Sequence, residues 1–245
     1  MRGLRAILIL MAALLFVVFV GGQALIPPFI ETQVASGIRA ELPDVDHVAV
    51  RLSGFPAYRM LAGNFRRVAV DIDGLRVDGL QVRQMRLRGE HAQFRLSGLL
   101  RRRLILESAE RMTTELQIDA ADLADFLQAR AGSVFDVRVK LEQPRRATVV
   151  AAVSVLGQTL ELAISGRFET SGGETIRFRP DAIVLLDEEV PAALVEAIAA
   201  AWDLSIDASL LPIPHRIETV RVQQESLIIE GTWLSEGEAT ISDPS

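Results

Sequence analysis

From Phe135 to Glu142 apolar and charged residues alternate without a miss: Phe135, Val137, Val139 and Leu141 against Asp136, Arg138, Lys140 and Glu142. A period of two sends alternate side chains to opposite faces of a strand, whereas a helix would scatter the apolar set around its circumference. The pattern recurs in Val68, Val70 and Ile72, in Met112, Thr114, Leu116 and Ile118, and in Leu160, Leu162 and Ile164. Leu227, Ile229 and Trp233 repeat it against Glu230 and Thr232. Such segments predict half-buried strands of mostly antiparallel sheet. The phase slips between Leu80-Val82 and Met85-Leu87, which predicts a bulge where that strand bends. Ser171-Gly172-Gly173 and Asp73-Gly74 read as hairpin turns, which would leave Asp71 and Asp73 at a strand end.

Three stretches depart from this period. Asp119 is placed to cap a helix over Ala120–Ala131, with Leu123, Phe126 and Leu127 on one face and Gly132 past its end. A second helix is predicted from Pro191, preceded by Asp187, Glu188 and Glu189, with Leu194, Val195, Ile198 and Trp202 as its apolar stripe. A third is predicted from about Phe29 to Ala40, before Pro43. Strands in groups between single helices make an α+β chain. Hydrophobic residues are 49% of it and aromatics only 5%, so the core is aliphatic. No Pro- or Ser-rich linker interrupts the chain, and one domain over 31–234 is expected, followed by a flexible tail at 235–245.

Residues 1–30 read as a membrane-directed segment. Arg2 and Arg5 precede an uncharged run from Ala6 to Ile30, densest between Ala6 and Val20. The dense part has the length of a signal-peptide core, with a small-residue cleavage pattern at Gly22-Gln23-Ala24, while the whole run is long enough to anchor a chain. Under either alternative the arginines stay on the cytoplasmic side and the remainder is delivered across the membrane. The expected location is the cell membrane, by a single N-terminal span with an extracytoplasmic domain, or export if the chain is cleaved near Ala24.

Charge is distributed unevenly over a chain of net −6. Residues 25–146 sum to +3 and residues 147–245 to −11. Seven arginines and a single acid, Glu90, lie between Arg83 and Arg103, ending in Arg101, Arg102 and Arg103. This stretch reads either as a solvated hairpin tip or as a patch that docks on an anionic membrane surface. Nucleic acid is a poor partner for an acidic chain with one tyrosine and no interleaved stacking aromatics.

Chemistry is sparsely provided. With no cysteine there is no disulfide, thiolate metal site or cysteine nucleophile. His47, His91 and His215 are scattered without metal-ligand or His-carboxylate spacing. No nucleophile elbow, P-loop or dinucleotide fingerprint occurs. Asp122 and Asp125 fall on the polar side of their helix, a place for solvation rather than an acid/base pair. The expectation is a protein without catalytic residues, metal or cofactor, although side chains converging from distant positions would escape a linear reading.

Val48-x-Val50-x-Leu52-x-Gly54-Phe55-Pro56, followed by Leu61-Ala62-Gly63-Asn64-Phe65-Arg66-Arg67-Val68, resembles the opening of the LmeA-like family of exported bacterial phospholipid-binding proteins. Thr114-x-x-Gln117-Ile118-Asp119-Ala120-Ala121-Asp122-Leu123 and Ile176-x-Phe178-x-Pro180 continue the resemblance. Val190-Pro191, Leu210-x-Pro212 and Ile217-x-x-Val220-x-Val222 extend it to about residue 235. Each motif is weak alone; their order is the specific feature. The resemblance implies a long curved antiparallel sheet wrapping two or three helices, similar to one unit of a tubular lipid-binding domain, with an apolar groove for phospholipid. Leu123, Phe126, Leu127, Leu194, Ile198 and Trp202 are then candidates for the groove wall, the alternative for each being ordinary helix-on-sheet core. Arg101, Arg102 and Arg103 are candidates for headgroup or membrane contact. The function so implied is to hold or transfer lipid for cell-envelope biogenesis or maintenance. A non-catalytic scaffold that binds another envelope protein through a sheet edge or groove is the alternative.

Overall fold

The period-two segments form strands in the computed structural model, which describes residues 23, 25–95, 105–130, 134–155, 158–173, 175–185, 188–191, 205–207 and 215–233. Helix α1 covers 25–41. It is followed by β1 (His47–Ser53), a 3-10 turn η1 (Ala57–Ala62), β2 (Asn64–Val77), β3 (Leu80–Arg95), β4 (Ile105–Ser108), β5 (Arg111–Asp119) and helix α2 (Ala120–Arg130). The second half supplies β6 (Val134–Glu142), β7 (Arg146–Val155), β8 (Gln158–Ser171), β9 (Thr175–Leu185), β10 (Glu188–Glu189), β11 (Ser205–Asp207), β12 (His215–Gln223) and β13 (Ser226–Trp233). One sheet has the order β1-β2-β3-β5-β13-β12 with β4 beside β3, the other β10-β9-β8-β7-β6 with β11 beside β9. Both are open, and the chain is α+β with strand predominating.

By its internal contacts the chain divides into two compact units. The first comprises Met1–Pro43, Val48–Val70 and Arg88–Met112, the second Asp44–His47, Asp71–Leu87 and Thr113–Ser245.

In the first unit α1 is tied to β1 at two points. The Leu52 N–H donates to Glu31 Oε1 at 2.6 Å, and Arg39 Nη2 donates to the Val48 carbonyl at 3.1 Å. Eight helical residues rise ~12 Å and four strand residues ~13 Å, so the helix runs antiparallel to the strand along the length between these bonds. Ile30 and Val34 are buried. The uncharged run assigned by the sequence to a membrane-directed segment as far as Ile30 is therefore, from 25 onward, part of this helix, which also begins before the expected Phe29. Hydropathy alone does not distinguish a lipid-facing helix from one that packs against protein. No helix among the described residues is long and apolar enough to cross a membrane. The dense apolar core at 6–20 lies outside the described residues, as does the expected tail at 235–245.

In the second unit the strands of the second sheet align Val139, Val149, Ile164 and Ile183 in one cross-strand row. The last three are almost fully buried. Phe168 and Phe178 face each other in the β8-β9 pair, ring centroids 5.4 Å apart. β12 meets this sheet through its backbone: the Ile217 N–H donates to the Gly173 carbonyl and the Val222 N–H to the Pro144 carbonyl. The expected hairpin at Ser171-Gly172-Gly173 is present, with Gly172 and Gly173 at positive φ.

The expected hairpin at Asp73-Gly74 is not. Both residues lie inside β2, which continues to Val77 and turns at Asp78-Gly79, whose φ values of 49° and 85° suit a tight two-residue hairpin. Asp71 and Asp73 are accordingly mid-strand, and Asp73 presents its carbonyl to the Asp46 N–H. The expected slip in β3 is visible in burial: Val82 and Met85 are buried with an exposed Arg83 and a half-buried Gln84 between them.

Candidate functional site

α2 carries three of the six candidate groove residues, and the spacing that made it amphipathic also decides their surroundings. Leu123, Phe126 and Leu127 are 4%, 7% and 6% exposed. The helix packs against β6, where Gln128 Oε1 accepts the Val137 N–H at 3.0 Å. The Arg130 guanidinium lies 4.3 Å from the centroid of the Phe126 ring and is paired with Asp78 at the β2-β3 turn. Leu194, Ile198 and Trp202 lie outside the described residues, as does the predicted helix that would carry them. Of the residues expected just before it, Glu188 and Glu189 form β10, paired with Leu185 and Val184.

Asp119 does not spend its carboxylate on the helix it precedes. Its Oδ1 accepts from Ser226 Oγ at 2.7 Å and its Oδ2 from Arg83 Nη1 at 2.7 Å. The Ala120 N–H instead reaches the Glu225 carbonyl. Asp122, in the first turn, has its pKa raised above the ordinary 3.8 by partial burial and by the neighbouring carboxylates of Asp119 and Asp125, with Arg83 opposing. A carboxyl whose folded pKa is raised binds its proton more tightly in the folded state, so stability declines as pH rises from below 3.8 through the folded value. Asp122→Asn is therefore expected to raise the melting temperature at pH 7 by a degree or two at most, roughly 0.5 kcal/mol for a partly exposed group. Below pH 3.8 that advantage should vanish, a comparison thermal melts at the two pH values would make.

The basic stretch is only partly free to meet a ligand. Arg83 is paired with Asp119 and Arg86 with Glu115 at 2.8 Å, both acids lying on β5. Arg88 Nη1 donates to the Val70 carbonyl. Arg101, Arg102 and Arg103 lie outside the described residues.

A cleft that the sequence did not suggest opens within the first unit. It measures about 560 Å³ and is lined by Phe55, Arg59, Asn64, Phe65, Arg66 and His91, among others. Phe65, one of the lining residues, forms an edge-to-face pair with Phe94, centroids 5.6 Å apart. His91 Nδ1 is 2.8 Å from Glu110. Among the described residues no carboxylate lines the cleft. One linear signal was available: from His47 to Val70 there are four arginines and no acid. Among the described residues no group of three or more His, Asp or Glu side chains is placed to hold a metal ion.

No curated protein and no solved structure matches the chain. A sequence model of the LmeA-like phospholipid-binding family, however, matches residues 21–232, a stretch that takes in helix α1 and nearly all of the last strand, and the chain belongs to that family.

Proposed function

We infer that this protein binds phospholipid on the outer side of the cytoplasmic membrane and holds or transfers it within the cell envelope. Membership of a phospholipid-binding family over residues 21–232 carries this reading. Physical chemistry supplies the need: at about 0.8 kcal/mol per buried CH₂, a two-chain phospholipid costs on the order of 20 kcal/mol to place in water. A protein that offers aliphatic surface lowers that barrier by binding alone, without a nucleophile, metal or cofactor. Leu123, Phe126 and Leu127, together with Leu194, Ile198 and Trp202, are proposed to contact acyl chains. Arg101, Arg102 and Arg103 are proposed to meet headgroups or the membrane surface. The N-terminal segment is proposed to direct the chain to the membrane, as an anchor or as a cleaved signal.

Native mass spectrometry of the purified full chain, followed by lipid extraction, tests the reading. Phospholipid is expected at about one molecule per chain, and a lipid bearing a photoreactive group near its chain terminus should label 120–130 and 192–204. A lipid-free chain that also takes up no phospholipid from vesicles would overturn it. Recovery of one stoichiometric protein partner in place of lipid would favour a scaffold.

A further inference from the structure

Large apolar side chains scattered singly on a surface are ordinary. Here they are not scattered. Among the described residues Phe55 is 69%, Tyr58 60% and Leu61 55% exposed, three within the seven residues 55–61 that lead into and along η1. The loop is nonetheless built rigidly: Met60 between them is fully buried, the Arg59 N–H donates to the Pro56 carbonyl, and the Gly63 N–H closes on the Met60 carbonyl. A loop that buries Ala57 and Met60 while presenting three other apolar residues outward is shaped to offer them.

Two further observations within the same unit say to what. The first is charge. Arg59 and Arg66 line the cleft beside the loop, with neither guanidinium in an ion pair among the described residues, and Arg67 is exposed next to them. In the same unit Glu90 on β3 and Glu110 in the turn before β5 are engaged, Glu110 with His91 and Glu90 with Arg111 at 3.7 Å. The second is where the chain arrives. Because α1 runs antiparallel to β1, with Glu31 at Leu52 and Arg39 at Val48, its N-terminal end points toward the end of β1 from which Phe55 follows. Leu25 and Phe29, four residues apart on that end, are 72% and 63% exposed, and the uncharged run from Ala6 enters the helix there.

We propose that the η1 loop is a membrane-docking surface, in which Phe55, Tyr58 and Leu61 enter the interface of an anionic phospholipid bilayer while Arg59 and Arg66 draw a headgroup phosphate into the adjoining cleft. This rests on the phospholipid reading and adds the place and the chemistry of contact. Aromatic and aliphatic tips supply the insertion, and Arg59 and Arg66, without an ion-pair partner among the described residues, select negative headgroups.

The chain has no cysteine, so Leu61→Cys in the full-length protein provides a unique site for an environment-sensitive nitrobenzoxadiazole label. The readout is local and keeps its meaning even if the N-terminal segment itself holds the protein on the vesicle. With phosphatidylglycerol vesicles the emission should rise and shift to the blue; with phosphatidylcholine alone it should not. In Arg59→Ala/Arg66→Ala the ratio of inserted to aqueous label should fall about thirtyfold. A label at the exposed Thr170→Cys should stay aqueous throughout. An aqueous signal at position 61 on phosphatidylglycerol overturns the proposal, as do equal signals on both lipids, equal signals at both sites, or a blue shift that accompanies self-association without lipid. Mass spectrometry on the same preparations separates the two layers: a chain that carries phospholipid but leaves the label aqueous refutes docking alone, and one that does neither refutes the phospholipid reading as well.

Discussion

Gly166→Ala should lower the folding stability of the chain by about 3 kcal/mol, the upper part of the range for overpacking, because the added methyl has nowhere to go. A Cβ at this position would lie 2.4 Å from the Arg179 carbonyl oxygen and 2.7 Å from Phe178 Cζ. The first is backbone and cannot rotate aside; β9 itself would have to move. The site is also where the β8-β9 register shifts, Gly166 standing opposite Pro180, which has no N–H to offer the ladder. Gly172→Ala in the adjoining turn provides the contrast, since it has φ +65° and nothing within 4 Å of an added methyl, leaving only the left-handed backbone penalty of about 1 kcal/mol. Urea unfolding of both variants, followed by circular dichroism, should show the larger loss at Gly166. A smaller loss there than at Gly172 would mean the two strands are not as close as described.

Met60→Ala is expected to cost about 2–5 kcal/mol, by the removal of a fully buried side chain and the cavity it leaves. Its consequence for docking should exceed that of any single exposed residue in the loop, because Met60 fixes the orientation of all three apolar tips. Met60→Leu keeps the volume and should recover most of the stability, losing less than about 1.5 kcal/mol. Denaturation midpoints and the label at position 61 would be read together. If Met60→Ala leaves both unchanged, the loop does not depend on its buried residue.

Much of the sheet can be read directly from the chain. Val68, Val70 and Ile72, and Met112, Thr114, Leu116 and Ile118, are buried as their alternation predicts, and α2 lies within one residue of its expected limits. The departures have local causes. Two Asp-Gly pairs compete for one turn, and the dipeptide at 73-74 carries the same turn signal as the one at 78-79; only pairing partners decide between them. The basic stretch reads as available in the sequence because Asp119 and Glu115, which engage Arg83 and Arg86, are about thirty residues away along the chain. The cleft leaves only its charge in the sequence, for another reason. Gly54-Phe55-Pro56-Ala57-Tyr58 has no periodicity, and the usual expectation that aromatic residues face inward would bury the side chains that the fold exposes.

The contacts made by β12 and β6 have a bearing on how the protein behaves at high concentration. An open sheet ends in strands whose outward N–H and C=O groups can recruit a strand from another molecule. At β12 the N–H groups of Ile217 and Val222 are already given to the turns at Gly173 and Pro144, and at β6 that of Val137 is taken by the Gln128 side chain. Each bond withdraws a donor from intermolecular pairing. A chain built so largely of strands is thereby protected at these edges against growth into fibres, although it exposes apolar side chains elsewhere at Phe55, Tyr58 and Leu61.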